Sequence, residues 1–92
     1  MFYADRLKID PDNPEKIAAA SNNGIYMSTD AGVSWTRNWN KASYDVEFKP
    51  DNSNILFAIS KVNSNFTVVM STDGGLNFTG NGDAPVGGGV FF

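Results

Sequence analysis

One feature limits what this chain can fold into more than any other: it is duplicated. Leu7-Lys8-Ile9-Asp10-Pro11-Asp12-Asn13 is matched by Val46-Glu47-Phe48-Lys49-Pro50-Asp51-Asn52, 39 residues later. Ile17-Ala18-Ala19-Ala20-Ser21 is matched by Leu56-Phe57-Ala58-Ile59-Ser60 at the same offset. Met27-Ser28-Thr29-Asp30-Ala31-Gly32 is then matched by Met70-Ser71-Thr72-Asp73-Gly74-Gly75 at an offset of 43. The extra four residues fall in the polar stretch Lys61-Val62-Asn63-Ser64-Asn65. Lengthening a surface hairpin by that much is thermodynamically cheap.

A repeat of roughly 40 residues admits propeller blades, HEAT or armadillo units and helical pairs. Periodicity separates them. Leu7 and Ile9 alternate with Arg6, Lys8 and Asp10; Tyr44, Val46 and Phe48 alternate with Asp45, Glu47 and Lys49. Period two is the mark of a strand. Ile17-Ala18-Ala19-Ala20 leans towards helix, but its counterpart Ile55-Leu56-Phe57-Ala58-Ile59 reads as a buried strand. The duplication therefore assigns strand to both. Pro11-Asp12-Asn13-Pro14, Pro50-Asp51-Asn52-Ser53 and Asn22-Asn23-Gly24 are turns, built from fixed φ, Asx capping and glycine.

Each copy thus yields four short antiparallel strands, near 5–10, 16–21, 24–29 and 33–39, then 43–49, 54–61, 66–72 and 76–80. Four such strands in about 40 residues describe one propeller blade. The expected organisation is all-β: blade one over 1–40, blade two over 41–80, and a loop with the start of a further blade over 81–92.

Ser28-Thr29-Asp30-Ala31-Gly32-Val33-Ser34-Trp35 and Ser71-Thr72-Asp73-Gly74-Gly75-Leu76-Asn77-Phe78 both fit S-x-D-x-G-x-x-[W/F]. This pattern resembles the Asp-box, or BNR, repeat of sialidases, xyloglucanase-type glycoside hydrolases, sortilin ectodomains and photosystem-assembly propellers. Phe78 and Ala31 depart slightly from the commoner Trp and Gly. The residue types have a local rationale. Asp30 and Asp73 can accept backbone N–H groups of the bend, helped by Ser28 and Ser71. Gly32 and Gly75 supply backbone freedom. Trp35 and Phe78 place a large apolar ring against the blade. The resemblance implies that these residues are structural and lie away from any active site.

Composition removes several function classes. Of 92 residues none is Cys or His, which excludes disulfides, thiolate metal sites and the commonest general base. The net charge is −3 and the seven Lys and Arg are scattered, so no nucleic-acid footprint is present. No apolar run approaches the length of a membrane helix, and the first residues carry no signal-peptide pattern. No membrane insertion and no cofactor are expected. The resemblance implies an extracellular or periplasmic parent protein.

The remaining candidates each have a plainer reading. Glycosidase carboxylates flank one bond at roughly 5–9.5 Å; Asp30 and Asp73, on adjacent blades' peripheral hairpins, should lie farther apart. Asp45 and Glu47, expected on the innermost strand, could meet a glycan or a cation, or form a solvated face. Asp10, Asp12 and Asn13 could suit calcium, yet the turn explains them. Among the aromatics, Tyr26, Trp35, Tyr44 and Phe66 suit inter-blade packing as well as sugar stacking. Trp39, within Arg37-Asn38-Trp39-Asn40-Lys41, is the best candidate for an exposed ligand contact. Asn65-Phe66-Thr67 and Asn77-Phe78-Thr79 match glycosylation sequons. The expected partners are the other blades of a parent propeller, or further copies of the chain in a ring of about three or four, with a glycan or protein ligand. Part of a glycoside hydrolase with its catalytic acids elsewhere is the alternative.

Overall fold

A computed structural model describes residues 4–80 of the chain. The expected start of a further blade over 81–92 lies outside the described residues. The strands are β1 (Ala4–Asp10), β2 (Asn13–Ser21), β3 (Gly24–Ser28), β4 (Thr36–Trp39), β5 (Ser43–Lys49), β6 (Asn52–Val62) and β7 (Asn65–Ser71). They form two antiparallel meanders, β1-β2-β3-β4 and β5-β6-β7. The alanine run is strand, as the duplication required: Ala18, Ala19 and Ala20 pair with Met27, Tyr26 and Ile25 on one side and with Lys8, Leu7 and Arg6 on the other.

The second sheet has three strands where four were expected. Its fourth is reduced to one bridge, Met70 with Thr79, closed by N–H to carbonyl bonds of 2.9 Å in both directions. Met27 and Thr36, the equivalent residues of the first sheet, make the first rung of β3 with β4. The register is therefore shared, and only the length differs. In the first sheet β4 starts at Thr36 rather than near 33, because the preceding loop occupies Thr29–Trp35.

The four-residue insertion does not lengthen a loop. It adds two rungs, Lys61 with Phe66 and Val62 with Asn65, beyond the Ser60–Thr67 pair. The hairpin then closes through Asn63 and Ser64, whose φ values of 53° and 69° suit a two-residue turn.

Antiparallel partners point their side chains to the same face, so the registers sort each sheet into two faces. Leu7, Ile9, Ile17, Ala19 and Tyr26 share the leading face of the first sheet; their equivalents Val46, Phe48, Leu56, Ala58 and Val69 share the leading face of the second. Lys8, Ala18, Ala20, Ile25 and Met27 form the first trailing face, and Glu47, Phe57, Ile59, Val68 and Met70 the second. The core lies where the trailing face of the first sheet packs on the leading face of the second: Ala18, Ala20, Ile25 and Met27 against Val46, Phe48, Leu56, Val69 and Phe78. Full burial of a side chain such as Ile25 or Leu56 contributes about 1.5–3 kcal/mol. Backbones approach most closely between β1 or β2 and β5, so the sheets converge at their first strands. The alanines at 18 and 20 permit that approach, since larger groups would hold the sheets apart.

Gly24 opens β3 at φ 140°, and a Cβ there would strike the carbonyl oxygen of Trp39 on the neighbouring strand. Gly24→Ala should therefore cost on the order of 3 kcal/mol, read as a lower denaturation midpoint at unchanged slope.

Candidate functional site

The two Ser-Asp loops are near copies at atomic detail. Ser28 ends β3, and its Oγ donates to Asp30 Oδ1 at 2.8 Å while accepting the Gly32 amide at 2.9 Å. Asp30 Oδ1 also accepts the Ser34 amide at 2.9 Å, and Oδ2 accepts the Ser34 hydroxyl at 2.6 Å. In the second loop Ser71 donates to Asp73 Oδ1 at 2.7 Å and accepts the Gly75 amide at 2.9 Å. Asn77 replaces Ser34: its amide donates to Asp73 Oδ1 at 3.0 Å and its side-chain Nδ2 to Oδ2 at 2.9 Å. Each loop is also tied to the second strand of its sheet, Ala31 N–H to Glu15 O at 2.9 Å and Gly74 N–H to Asn54 O at 2.8 Å.

These bonds hold both carboxyls at about 2, below their usual 3.8. For Asp30 the Ser34 hydroxyl contributes most, then the Ser34 amide and the Ser28 hydroxyl. For Asp73 the Asn77 amide leads, then the Asn77 side chain and Ser71. Donors aimed at the ionised form favour it. A carboxylate so fixed is a poor proton donor near neutrality.

The aromatic that closes each loop behaves differently in the two copies. Phe78 is buried in the inter-sheet core. Trp35 is half-buried; its indole N–H donates to Gly32 O at 3.1 Å. Gly75 carries φ 94°, and a Cβ on it would lie 2.5 Å from Met27 Cε of the first sheet. The second loop is thus a seam contact as well as a turn.

Trp39 is less exposed than its polar neighbours suggested. It is half-buried against the core, and its indole N–H donates to Ser60 Oγ of the second sheet at 2.8 Å. The Ser60 hydroxyl in turn donates a hydrogen bond to Ala42 O at 2.7 Å. Asn38, which carried no sequence signal, donates from Nδ2 to Gly75 O at 2.7 Å across the same seam. Ser34 and Asn77 were legible in principle, because both stand four residues after the repeated aspartate and both can donate.

Asp45 and Glu47 meet cations of the first sheet: Arg6 Nε lies 3.9 Å from Asp45 Oδ1, and Lys8 Nζ 3.1 Å from Glu47 Oε2. They also border an open hollow of about 620 Å³ on the second trailing face, with Phe57 and Ile59 beneath. Asp10 Oδ1 accepts the Asp12 amide at 2.7 Å, and Asn13 Oδ1 the Glu15 amide at 3.1 Å. These oxygens are occupied by their own turn. No group of three Asp or Glu suited to a metal occurs among the described residues. Tyr44 and Phe66 form an exposed edge-to-face pair with centroids 5.4 Å apart, and Lys61 Nζ stands 5.7 Å from the Phe66 ring.

No family profile and no curated protein matches the chain. Its fold is similar to part of the crystal structure of an ancestral GH74 enzyme, with TM-score 0.72 and 21% identity over 84% of this chain. The match spans 12% of the enzyme's length. The enzyme is a β-propeller, and the two sheets here are propeller blades.

Two predictions follow the loop geometry. A carboxylate with a depressed folded-state pKa stabilises the fold above its unfolded value, near 3.8 here, and loses that effect as pH falls through about 2. The melting temperature should therefore fall between those two values, and less steeply in Asp30→Asn/Asp73→Asn, whose melting point at neutral pH is already lower. Ala31 sits at φ 62° where its counterpart Gly74 sits at 77°. Ala31→Gly should stabilise by about 0.5–1 kcal/mol, measured by urea denaturation.

Proposed function

We propose that this blade pair is a non-catalytic structural and binding part of a secreted Asp-box (BNR) β-propeller, recognising a glycan or a protein surface. The observation that carries this reading is the state of the carboxylates. Asp30 and Asp73 each accept three hydrogen bonds from their own loops, and Asp45 and Glu47 face Arg6 and Lys8. A hydrolase needs one carboxyl kept protonated and another free to act on sugar or water. Asp30 and Asp73, held ionised by those donors, do not fill the first role. A binding surface is available instead in the exposed Tyr44–Phe66 pair with Lys61 beside it, since sugars and peptide groups stack on such rings.

The second reading, part of a glycoside hydrolase whose acids lie mostly outside these residues, is favoured by the likeness to a GH74 propeller. A glycan array run beside xyloglucan and sialoside hydrolysis assays separates the two. We expect retention on the array without turnover, and loss of retention in Phe66→Ala at an unchanged melting temperature. Turnover of either substrate by the full-length protein, unchanged in Asp30→Asn and Asp73→Asn, would select the enzyme.

A further inference from the structure

The seam within the chain is a worked example of how one of these sheets receives another, and among the described residues it leaves both of its component surfaces unused at the ends of the pair. The leading face is covered in the second sheet, where Val46 is 0% and Phe48 7% exposed, and open in the first, where the equivalent Leu7 and Ile9 are 53% and 58% exposed. The trailing face is covered in the first sheet, where Met27 is 6% exposed, and open in the second, where the equivalent Met70 is 39% exposed. We propose that a second copy of this chain docks head to tail, its first-sheet leading face on the second-sheet trailing face of the first copy, repeating the internal seam.

Charge selects this occupant and this direction. At the internal seam Arg6 meets Asp45, and Lys8 meets Glu47. Arg6 and Asp45 occupy the same repeat position, as do Lys8 and Glu47, 39 residues apart. At the new junction the acidic pair of one copy therefore meets the basic pair of the next. Cations and anions alternate around the assembly with no like-charged neighbours. Docking two second sheets trailing face to trailing face would instead oppose Asp45 and Glu47 to themselves.

Shape repeats in the same way. Met27 rests on Gly75 at the internal seam. Met70 and Gly32, their counterparts, are both present at the open surfaces, Gly32 with φ 93° in a loop of the same form. The hollow over Phe57 and Ile59 is the space that Leu7 and Ile9 of the incoming copy would enter. Trp35, the counterpart of buried Phe78, stands beside Ile17 on the first sheet's open leading face and is half-buried. Each copy presents two different surfaces, so the contact is heterologous and either closes into a ring or extends. Closure with two blades per copy requires an even blade number; about three or four copies fall within the range typical of propellers.

The test uses the 92-residue chain in sedimentation velocity. Wild type should associate with rising concentration, and a monomer throughout a wide range would overturn the proposal. Ile9→Lys damages only the leading surface and Met70→Glu only the trailing one. Both residues are exposed, and unchanged circular dichroism would show that each variant is folded. Each alone should bind itself roughly a hundredfold more weakly than wild type does. Mixed, the two should form a one-to-one heterodimer through the intact pair of surfaces and go no further. Self-association of Met70→Glu alone would show leading faces meeting each other, and failure of the mixture to pair would exclude the head-to-tail contact; either result overturns the proposal.

Discussion

Burial of one sheet's apolar face against the next holds this molecule together. Neither meander has a core of its own. A single antiparallel sheet of three or four short strands needs a partner for its apolar side. Here Ala18, Ala20, Ile25 and Met27 meet Val46, Phe48, Leu56 and Val69. Ala18 and Ala20 keep the first surface low beside β5, so the first strands can converge while the outer strands diverge. That wedge gives the pair its propeller geometry, and it makes the position of every other group a consequence of the seam.

The Ser-Asp loops act within that frame as clasps at the rim. Each orders the bend after the third strand by aiming three donors at one carboxylate, and each is tied back to the second strand through a backbone bond. In the second blade the clasp also reaches the neighbouring sheet through Gly75, which receives the thioether of Met27 and the side-chain amide of Asn38. Local turn chemistry and packing between blades are thus coupled at one residue. The polar bonds at the seam, Trp39 to Ser60 and Asn38 to Gly75, fix register where apolar contact alone would permit sliding.

Much of this was legible in the residues. The duplication gave two units, alternation gave strands, and the repeated Ser, Asp and Gly gave a braced bend, because each of these signals acts within a few residues of its source. Three features were not legible. Trp39 lies among polar neighbours, and it is half-buried by the inter-sheet core and bonded to Ser60, both remote in sequence. The insertion read as a polar turn, yet it extends the hairpin by two rungs, since Val62 and Phe66 continue the pairing. The fourth strand of the second blade reads like its counterpart but makes a single bridge at Thr79.

What each blade is follows from short-range patterns: strand periodicity, turn positions and a carboxylate with its donors close at hand are all encoded within a few residues, where backbone geometry leaves few choices. Which faces are covered and which stay open depends on the packing of the sheets. Leu7 and Val46, Trp35 and Phe78, or Met27 and Met70 are equivalent in sequence yet differ in burial. Burial is a property of what stands opposite a side chain, and that is set by the packing of one sheet on another.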